Sequence, residues 1–455
     1  MDAIGRLADH VIATRYEALS ETTRAAARRL ILDTVGVGLA GSAGQWAGEL
    51  FGAADGWGQS GQARVFGRAG RYPAGLAALY NAYCVHNSEF DCLHEDAVVH
   101  ALTAILPAAL AAAEQRGGIS GARLIEAVVA GVDVIAAIGL AGTAPMKFFR
   151  PAVIGGFGAA AAVGKIAGLD RAGLINAFGA QYAQSGGSMQ AHEEGTMLLA
   201  LQIGFNARAA VEAADLAAAG LRATRNTLEG RFGYFNLFED ACDLAPALAA
   251  LPDVRRIEEV VEKPFPTGRA THGAIEAAMR LLARRPAAPA ELRRIAVTVS
   301  PVAHTLVGRP ARPDMPANYA RLCLTYAVAR CLLDGRVGVD HFTSAALAEP
   351  EPLALAGRIE VDTFDMAVPS AFGPSRVVLD YADGSRDEET VGQALGHPDN
   401  PVSDAQRLEK FRANCRAAAI PLSEAQTEAL AAAIDGLDGL DDVRKLLDLA
   451  CPQAS

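Results

Sequence analysis

The sequence predicts a mainly α fold: a large all-helical domain built from both chain ends, with a smaller α+β domain inserted between them. Three observations predict it. Helical periodicity runs through nearly every segment from Pro73 to about Ala250. The composition shifts near Glu262, where two prolines open the run VEKPFPTGRATHGAIEAAMRLL and strand-like segments follow. Helical periodicity then returns after Pro401. The expected boundaries are 1–264 with 396–455 for the helical domain, and 265–395 for the α+β unit.

The first 50 residues read as two helices. MDAIGRLADHVIATRYEAL is amphipathic and lacks the pattern of a signal peptide. The second helix, roughly Ser20 to Val37, has apolar residues at helical spacing, and Gly36, Gly38 and Gly41 allow close packing or termination. Residues 51–72 are glycine-rich and read as loop. Ser120 can cap a helix through Leu124, Val128, Val132 and Ile135. Glu126 and Asp133 share one face of it and are expected to be structural or solvated, since no other polar residue accompanies them. The glycines Gly155, Gly156 and Gly158 do not make a nucleotide loop, because no β-branched strand precedes them. In the α+β unit, strands are expected at Arg294–Ser300, Arg358–Asp362 and Arg376–Tyr381, with Asp383-Gly384 as a hairpin turn. A helical stretch from Ala317 to Leu333 lies among them. Ser403-Asp404 can cap the first helix of the tail.

Bulk properties narrow the function. The 455 residues are 51% hydrophobic and 20% charged, as in a compact, well-buried enzyme and unlike a disordered chain. A net charge of -11 disfavours nucleic acid as a partner and means that an anionic substrate needs locally placed Arg or Lys. The apolar runs are interrupted by Gly, Asp or Glu, so no transmembrane helix is expected. The seven cysteines show no paired CxxC spacing, which reads as reduced thiols in a cytoplasmic protein with no zinc or iron–sulfur site.

One stretch concentrates chemistry. Between Asn81 and Ala113, Glu89, Asp91, Glu95 and Asp96 and three of the nine histidines (His86, His94, His100) crowd between two apolar helices. Either they form a catalytic centre, or they are loop polarity around one core histidine. Further polar islands follow at Met146–Pro151, at Ser188–Thr196 and at Leu228–Phe235.

The order of segments LDTVGVGLAGS, HNSEFDC…HALTAILPAALAAAE, FFRPAVIGGFGAAAAVGKIAGL, EGT…IGFNARAAVEAADLAAAGL, KPFPTGRATHGAIEAA and LEKFR…LDGLDDV resembles the MmgE/PrpD family. That family includes 2-methylcitrate dehydratase, cis-aconitate decarboxylase and iminodisuccinate epimerase. The resemblance spans essentially the whole chain. It implies a helical domain from both chain ends, a homodimer, an active site between the domains, and no metal or organic cofactor. By position, His100 corresponds to the histidine ahead of the LPAAL-like run, and His272 to the histidine of the TH motif. Glu89 and Asp91 correspond to the acids of a DFDD-like turn. The chain also departs from the pattern. Cys92 and Leu93 replace an Asp and a Thr, Phe149-Arg150-Pro151 lacks a histidine, the family lysine is missing near Leu199, and Gln202 replaces a histidine.

The resemblance implies chemistry beside a carboxylate, which needs a base, an acid and cations. His100 is the expected base, held neutral by the dipole of a helix beginning near Asp96 or Ala97, with Asp91 as its partner. His272 is expected to serve as acid, base or substrate hydrogen-bonder, and Arg269 to hold a carboxylate. Arg150 and Lys147 are candidates for a second cationic site; Gln190, His192 and Tyr234 are secondary candidates; His94 is expected to be exposed. The expected activity is dehydration of a small di- or tricarboxylate. The alternatives are epimerisation, then decarboxylation, then a non-catalytic dimeric binding protein.

Overall fold

The computed structural model describes residues 2–58, 60–144, 146–367 and 372–451. The chain is mainly α-helical with one four-stranded sheet. Helices begin where the sequence offers a cap. The Ser20 hydroxyl accepts from Thr23 N (3.0 Å) and opens Glu21–Gly41; Ser120 accepts from Arg123 N (3.2 Å) and opens Gly121–Ala141. Ser403 forms a capping box with Gln406 at the start of Asp404–Arg416.

Gly121–Ala141 is the one helix among the described residues long and apolar enough to cross a membrane, contrary to the expectation that no stretch would qualify. Its apolar window is 94% buried within the protein. Its acids are used structurally. Glu126 accepts from Tyr16 N (2.9 Å) and pairs with Arg123 (2.7 Å). Asp133 meets His10 Nε2 (2.9 Å) and accepts from Arg256 N (2.8 Å). Gly155, Gly156 and Gly158 lie inside the helix Arg150–Ile166, where Gly158 lets this helix approach the backbone of Gly131.

The sheet contains β1 (Leu292–Val299), β2 (Ile359–Thr363), β3 (Ser375–Tyr381) and β4 (Arg386–Val391), in the order β2-β1-β3-β4. β1 and β2 are parallel; the other two pairs are antiparallel. Alternation buries Ile295, Val297 and Val299 of β1 on one face, and the helix His272–Arg284 packs on β3 and β4.

Two apolar cores result. One draws on residues 3–260 together with 411–451, the other on 265–391. The tail reaches the first core through backbone bonds, Gly121 N to Leu440 O (2.7 Å) and Val443 N to Ile119 O (2.9 Å). Two local expectations fail. Residues 51–72 begin inside the helix Ala47–Ala54, and Ala317–Leu333 is interrupted by extended backbone at Cys323, giving Ala317–Arg321 and Leu324–Asp334.

Candidate active site

The helix Ala74–His86 delivers His86 at its last position. The chain then turns through Glu89, whose φ of 52° is left-handed and costs a non-glycine residue roughly 1–2 kcal/mol. Leu93 and Val261 exchange backbone hydrogen bonds (3.1 and 2.8 Å), and His94 pairs with Val99. This short ladder folds His100 and Thr103 back onto Asp91 and brings in Lys263, two residues beyond Val261.

His100 does not sit in the first turn of a helix. The next helix is Ile105–Gln115, and residues 96–103 are turns and irregular chain. The glycine-poor run HEDAVVH folds through a left-handed Val98 instead of continuing helically. Burial, together with the nearby His86 and Lys263, lowers the His100 pKa; Asp91 offsets this only in part. The neutral imidazole thus owes its state to desolvation and neighbouring cations, not to a helix dipole.

Asp91 is fully buried. His86 Nδ1 lies 3.2 and 3.1 Å from its two oxygens, His100 Nδ1 lies 2.9 Å from Oδ2, and the Thr103 hydroxyl donates to Oδ2. The His100 contact is short but off the axis of a good hydrogen bond. Burial raises the Asp91 pKa, but His100 and His86 outweigh it and hold the carboxyl well below the usual range. The Asp91 carboxylate beside Nδ1 favours the tautomer protonated there, which leaves Nε2 as the basic nitrogen. His86 is the opposite case: burial lowers its pKa, but Asp91 and Glu89 on either side raise it more, favouring imidazolium. The two imidazoles meet edge to face at 4.4 Å.

Lys263 Nζ donates to Glu89 Oε2 (3.0 Å) and Glu89 O (3.2 Å) and stands 4.0 Å from Asp91 Oδ1. Burial opposes ionisation of Glu89, yet Lys263, His86 and His100 bring it down to about 2. Ligand atoms of His86, Glu89 and His100 lie within 4.8 Å of one another, close enough for a divalent ion; the Lys263 ammonium already supplies a cation beside Glu89.

A cavity of about 80 Å³ opens beside these groups, between the two cores. Its polar lining is Glu89, His100, His192, Lys263 and Arg269. The rest is apolar, including Phe149, Met189, Leu199, Leu306 and Phe372. The Nδ1 of His192 lies 3.2 Å from Arg309 Nη2, which can only donate, so His192 holds its proton on Nε2. Burial and Arg309 bring its pKa down to about 4. Arg269 is anchored by Glu95 (2.5 Å) and the carbonyls of Leu395 (2.6 Å) and Ala394 (3.0 Å).

The structure does not bring every expected residue to the cavity. His272 is buried behind it: Nε2 donates to Thr267 O (3.2 Å), leaving Nδ1 to face Arg269 Nη1 (3.4 Å). Burial and Arg269 push its pKa well down, so it supports Arg269 as a neutral ring. Arg150 is paired side-on with Glu239 (3.1 and 3.0 Å), which also accepts from Tyr234 Oη (2.7 Å); neither lines the cavity. Lys147 is exposed and pairs with Asp240, and Gln190 is exposed and bonds Glu194 (2.6 Å). His94 is buried, not exposed, with Nε2 against Glu259 (2.9 Å).

From sequence, His86 falls in the cluster but is given no role, and Lys263 is not singled out. His86 stands five residues before Asp91, outside any helical repeat that would pair them. The available signal for Lys263 was a lone lysine between the apolar pair Val260-Val261 and the two prolines Pro264 and Pro266.

Fold and site define a mainly helical protein with a buried carboxylate–imidazole cluster. The chain belongs to the MmgE/PrpD family: the MmgE/PrpD N-terminal domain matches residues 5–246 and the C-terminal domain matches residues 265–435. Curated relatives include the cis-aconitate decarboxylase of Homo sapiens, 27% identical over 441 residues (93% of this chain, 89% of the relative). The Mus musculus cis-aconitate decarboxylase is 28% identical over 440 residues (93% and 88%). That of Aspergillus terreus is 27% identical over 456 residues (94% and 92%).

Proposed function

We propose that the protein is a lyase that moves a proton at a carbon next to a carboxylate of a small organic acid. The observation that carries this reading is a neutral His100 on the cavity wall, backed by the buried, ionised Asp91. Lys263 and Arg269 are the cations on the cavity, which fits a substrate with two carboxylates.

Dehydration is the reading that the ring states favour. His100 Nε2 takes a proton from the carbon beside the carboxylate, and the electron pair enters the enediolate that Lys263 stabilises. The pair then forms the C=C bond as the β-hydroxyl leaves with the proton that His100 has just gained, while the neutral His192 can hold the departing oxygen by a hydrogen bond from Nε2. One water is released, and His100 ends the cycle neutral, as it began. Decarboxylation is the second reading. It is supported by the printed activity of the relatives and by the apolar wall, which strips water from a carboxylate. There the C–C bond breaks, CO2 leaves, its electron pair shifts along the substrate, and the carbon that receives it takes a proton that His100 has first accepted from solvent.

Proton NMR in D2O separates them, with 2-methylcitrate, citrate, cis-aconitate, malate and iminodisuccinate as substrates. New vinyl signals without CO2 release mean elimination. CO2 release from cis-aconitate means decarboxylation. Deuterium incorporation with neither means epimerisation. Turnover unchanged in His100→Gln overturns the site assignment; no reaction across the panel sinks the substrate class.

Two arrangements belong to the same proposal. The domain division that goes with this reading is 1–264 with 396–455 and 265–395, supported by the two separate apolar cores; because residues 265–273 are buried, limited proteolysis is expected to cut first at the exposed residues 398–399 and not near 264. The homodimer is assigned to the helix Leu198–Ala218, whose Leu198 and Phe205, seven residues apart and so on one face, are exposed in the single chain. A Phe205→Glu variant that sediments as the wild-type dimer would refute that placement.

A further inference from the structure

A second cavity is much larger than the one beside His100. It measures about 690 Å³ and lies across a thin wall of chain: Ser88 and Arg321 line it, while their neighbours Glu89 and Leu322 line the smaller cavity. Arg321 is only 6% exposed, and among the described residues it makes no ion pair. Its Nη1 donates to Asn87 O (2.9 Å) and its guanidinium lies 5.4 Å from the Phe342 ring, but Nε has no acceptor. The Nε–Nη2 edge is the one this protein turns side-on to carboxylates elsewhere. Arg150 uses it on Glu239, Arg407 on Glu262 (2.7 and 2.9 Å) and Arg412 on Glu428 (2.6 and 2.9 Å). At Arg321 no protein carboxylate fills that position. Ser88 Oγ and Gln45 Oε1, on the same cavity, are also buried without partners.

A buried guanidinium with no hydrogen-bonded counter-charge is costly; Glu89, the acid whose charge acts on it, makes no ion pair with it, and the cost falls when an anion reaches its unpaired nitrogens. Burial already brings the Arg321 pKa down to about 10. The two acids on the cavity do not reach it. Asp340 is tied to Arg336 (2.9 and 2.5 Å), and Asp314 is exposed at the rim.

We propose that this cavity is a second ligand site, binding a small organic acid with its carboxylate side-on against Arg321 and hydrogen-bonded to Ser88 Oγ. The site is separate from the cavity of His100 and does not depend on the reaction catalysed there.

Isothermal titration with succinate tests it, with inorganic phosphate in parallel, on the wild type, Arg321→Met, Arg321→Lys and Ser344→Trp. The wild type is expected to bind succinate with one equivalent per chain that requires Arg321. Arg321→Met should lose that equivalent, and Arg321→Lys, which keeps the charge but not the fork, should weaken it about tenfold or more. Ser344 is an exposed residue on the cavity wall, so Ser344→Trp obstructs the cavity with Arg321 intact and should also lose the equivalent. It decides the matter if Arg321→Met does not fold. Unchanged stoichiometry in the variants, or no Arg321-dependent binding in the wild type, overturns the proposal. Phosphate binding at least as tightly as succinate overturns the carboxylate assignment. Turnover, measured separately by NMR, shows whether the first site has failed independently.

Discussion

His100 and Asp91 act through a balance of buried charges, and that balance makes them testable. His100→Gln keeps a side chain of similar reach but removes the base, so kcat should fall by about 10²–10⁴ with substrate binding retained, as measured by steady-state kinetics and titration. The base works when neutral. Its pKa lies below the ordinary value of about 6.5, so kcat/KM should climb through an acidic limb below pH ~6.5 and be level above it. Asp91 is the group that raises the His100 pKa, so Asp91→Asn should move that limb to still lower pH as well as reduce the plateau. A limb that moves upward would show that Asp91 does not act on His100 in this way. At this scale the sequence exposed the Glu89–His100 cluster because its members are close along the chain. It did not expose Lys263, which reaches Glu89 from 174 residues away.

Elements place these residues by close crossings. Gly41 ends the helix Glu21–Gly41 against Cys84, and a Cβ there would fall inside the contact distance of the Cys84 carbonyl oxygen. Gly41→Ala must therefore displace the helix that carries His86. It should cost about 1–3 kcal/mol in a denaturant melt and lower kcat as well. Ser403→Ala removes a capping box on an exposed helix start and should cost only about 1 kcal/mol, with kcat unchanged. The contrast separates damage to the site from general loss of stability. Helix starts were legible because Ser20, Ser120 and Ser403 act on residues three positions away. The left-handed turn at Val98 was not, because no glycine or asparagine marks it.

At the scale of the whole molecule, the tail is fastened to the site by Lys410. Its ammonium donates to Asp33 (2.6 Å), Phe90 O (3.0 Å) and Lys263 O (2.8 Å). Burial already raises the Asp33 pKa to about 6, with Lys410 as the main opposing charge. Lys410→Ala strands a buried carboxyl and should cost about 3–5 kcal/mol by denaturant melt. Acid should also destabilise the fold in two stages. His192 and His272 are held neutral with pKa values below 6.5, so the unfolded chain binds more protons as pH falls below 6.5, and stability drops from there toward about pH 4. Glu89 and Asp91 have depressed values, so their contribution persists until pH falls below the ordinary carboxylate range and then disappears. Asp33 works the other way, since its folded-state carboxyl takes up a proton near pH 6, so the check is a comparison: His192→Gln should lose less melting temperature between pH 6.5 and 4 than the wild type, and an equal loss would contradict the neutral, buried state of His192.

The sequence alone determined the mainly helical class, the capped helix starts, three strands with the hairpin turn, and the order of segments that marks the family. These are local or linear properties, set by periodicity, by capping and by motif order. Tertiary structure decided which polar residues share a cavity. Arg150 and Tyr234 turn to Glu239, and His272 backs Arg269. His86, Lys263 and His192 come to the site, and Arg321 is left with an unpaired Nε. The reason is physical. A buried charge takes whichever partner the packing brings within about 3 Å, and in this chain those partners lie up to hundreds of residues apart.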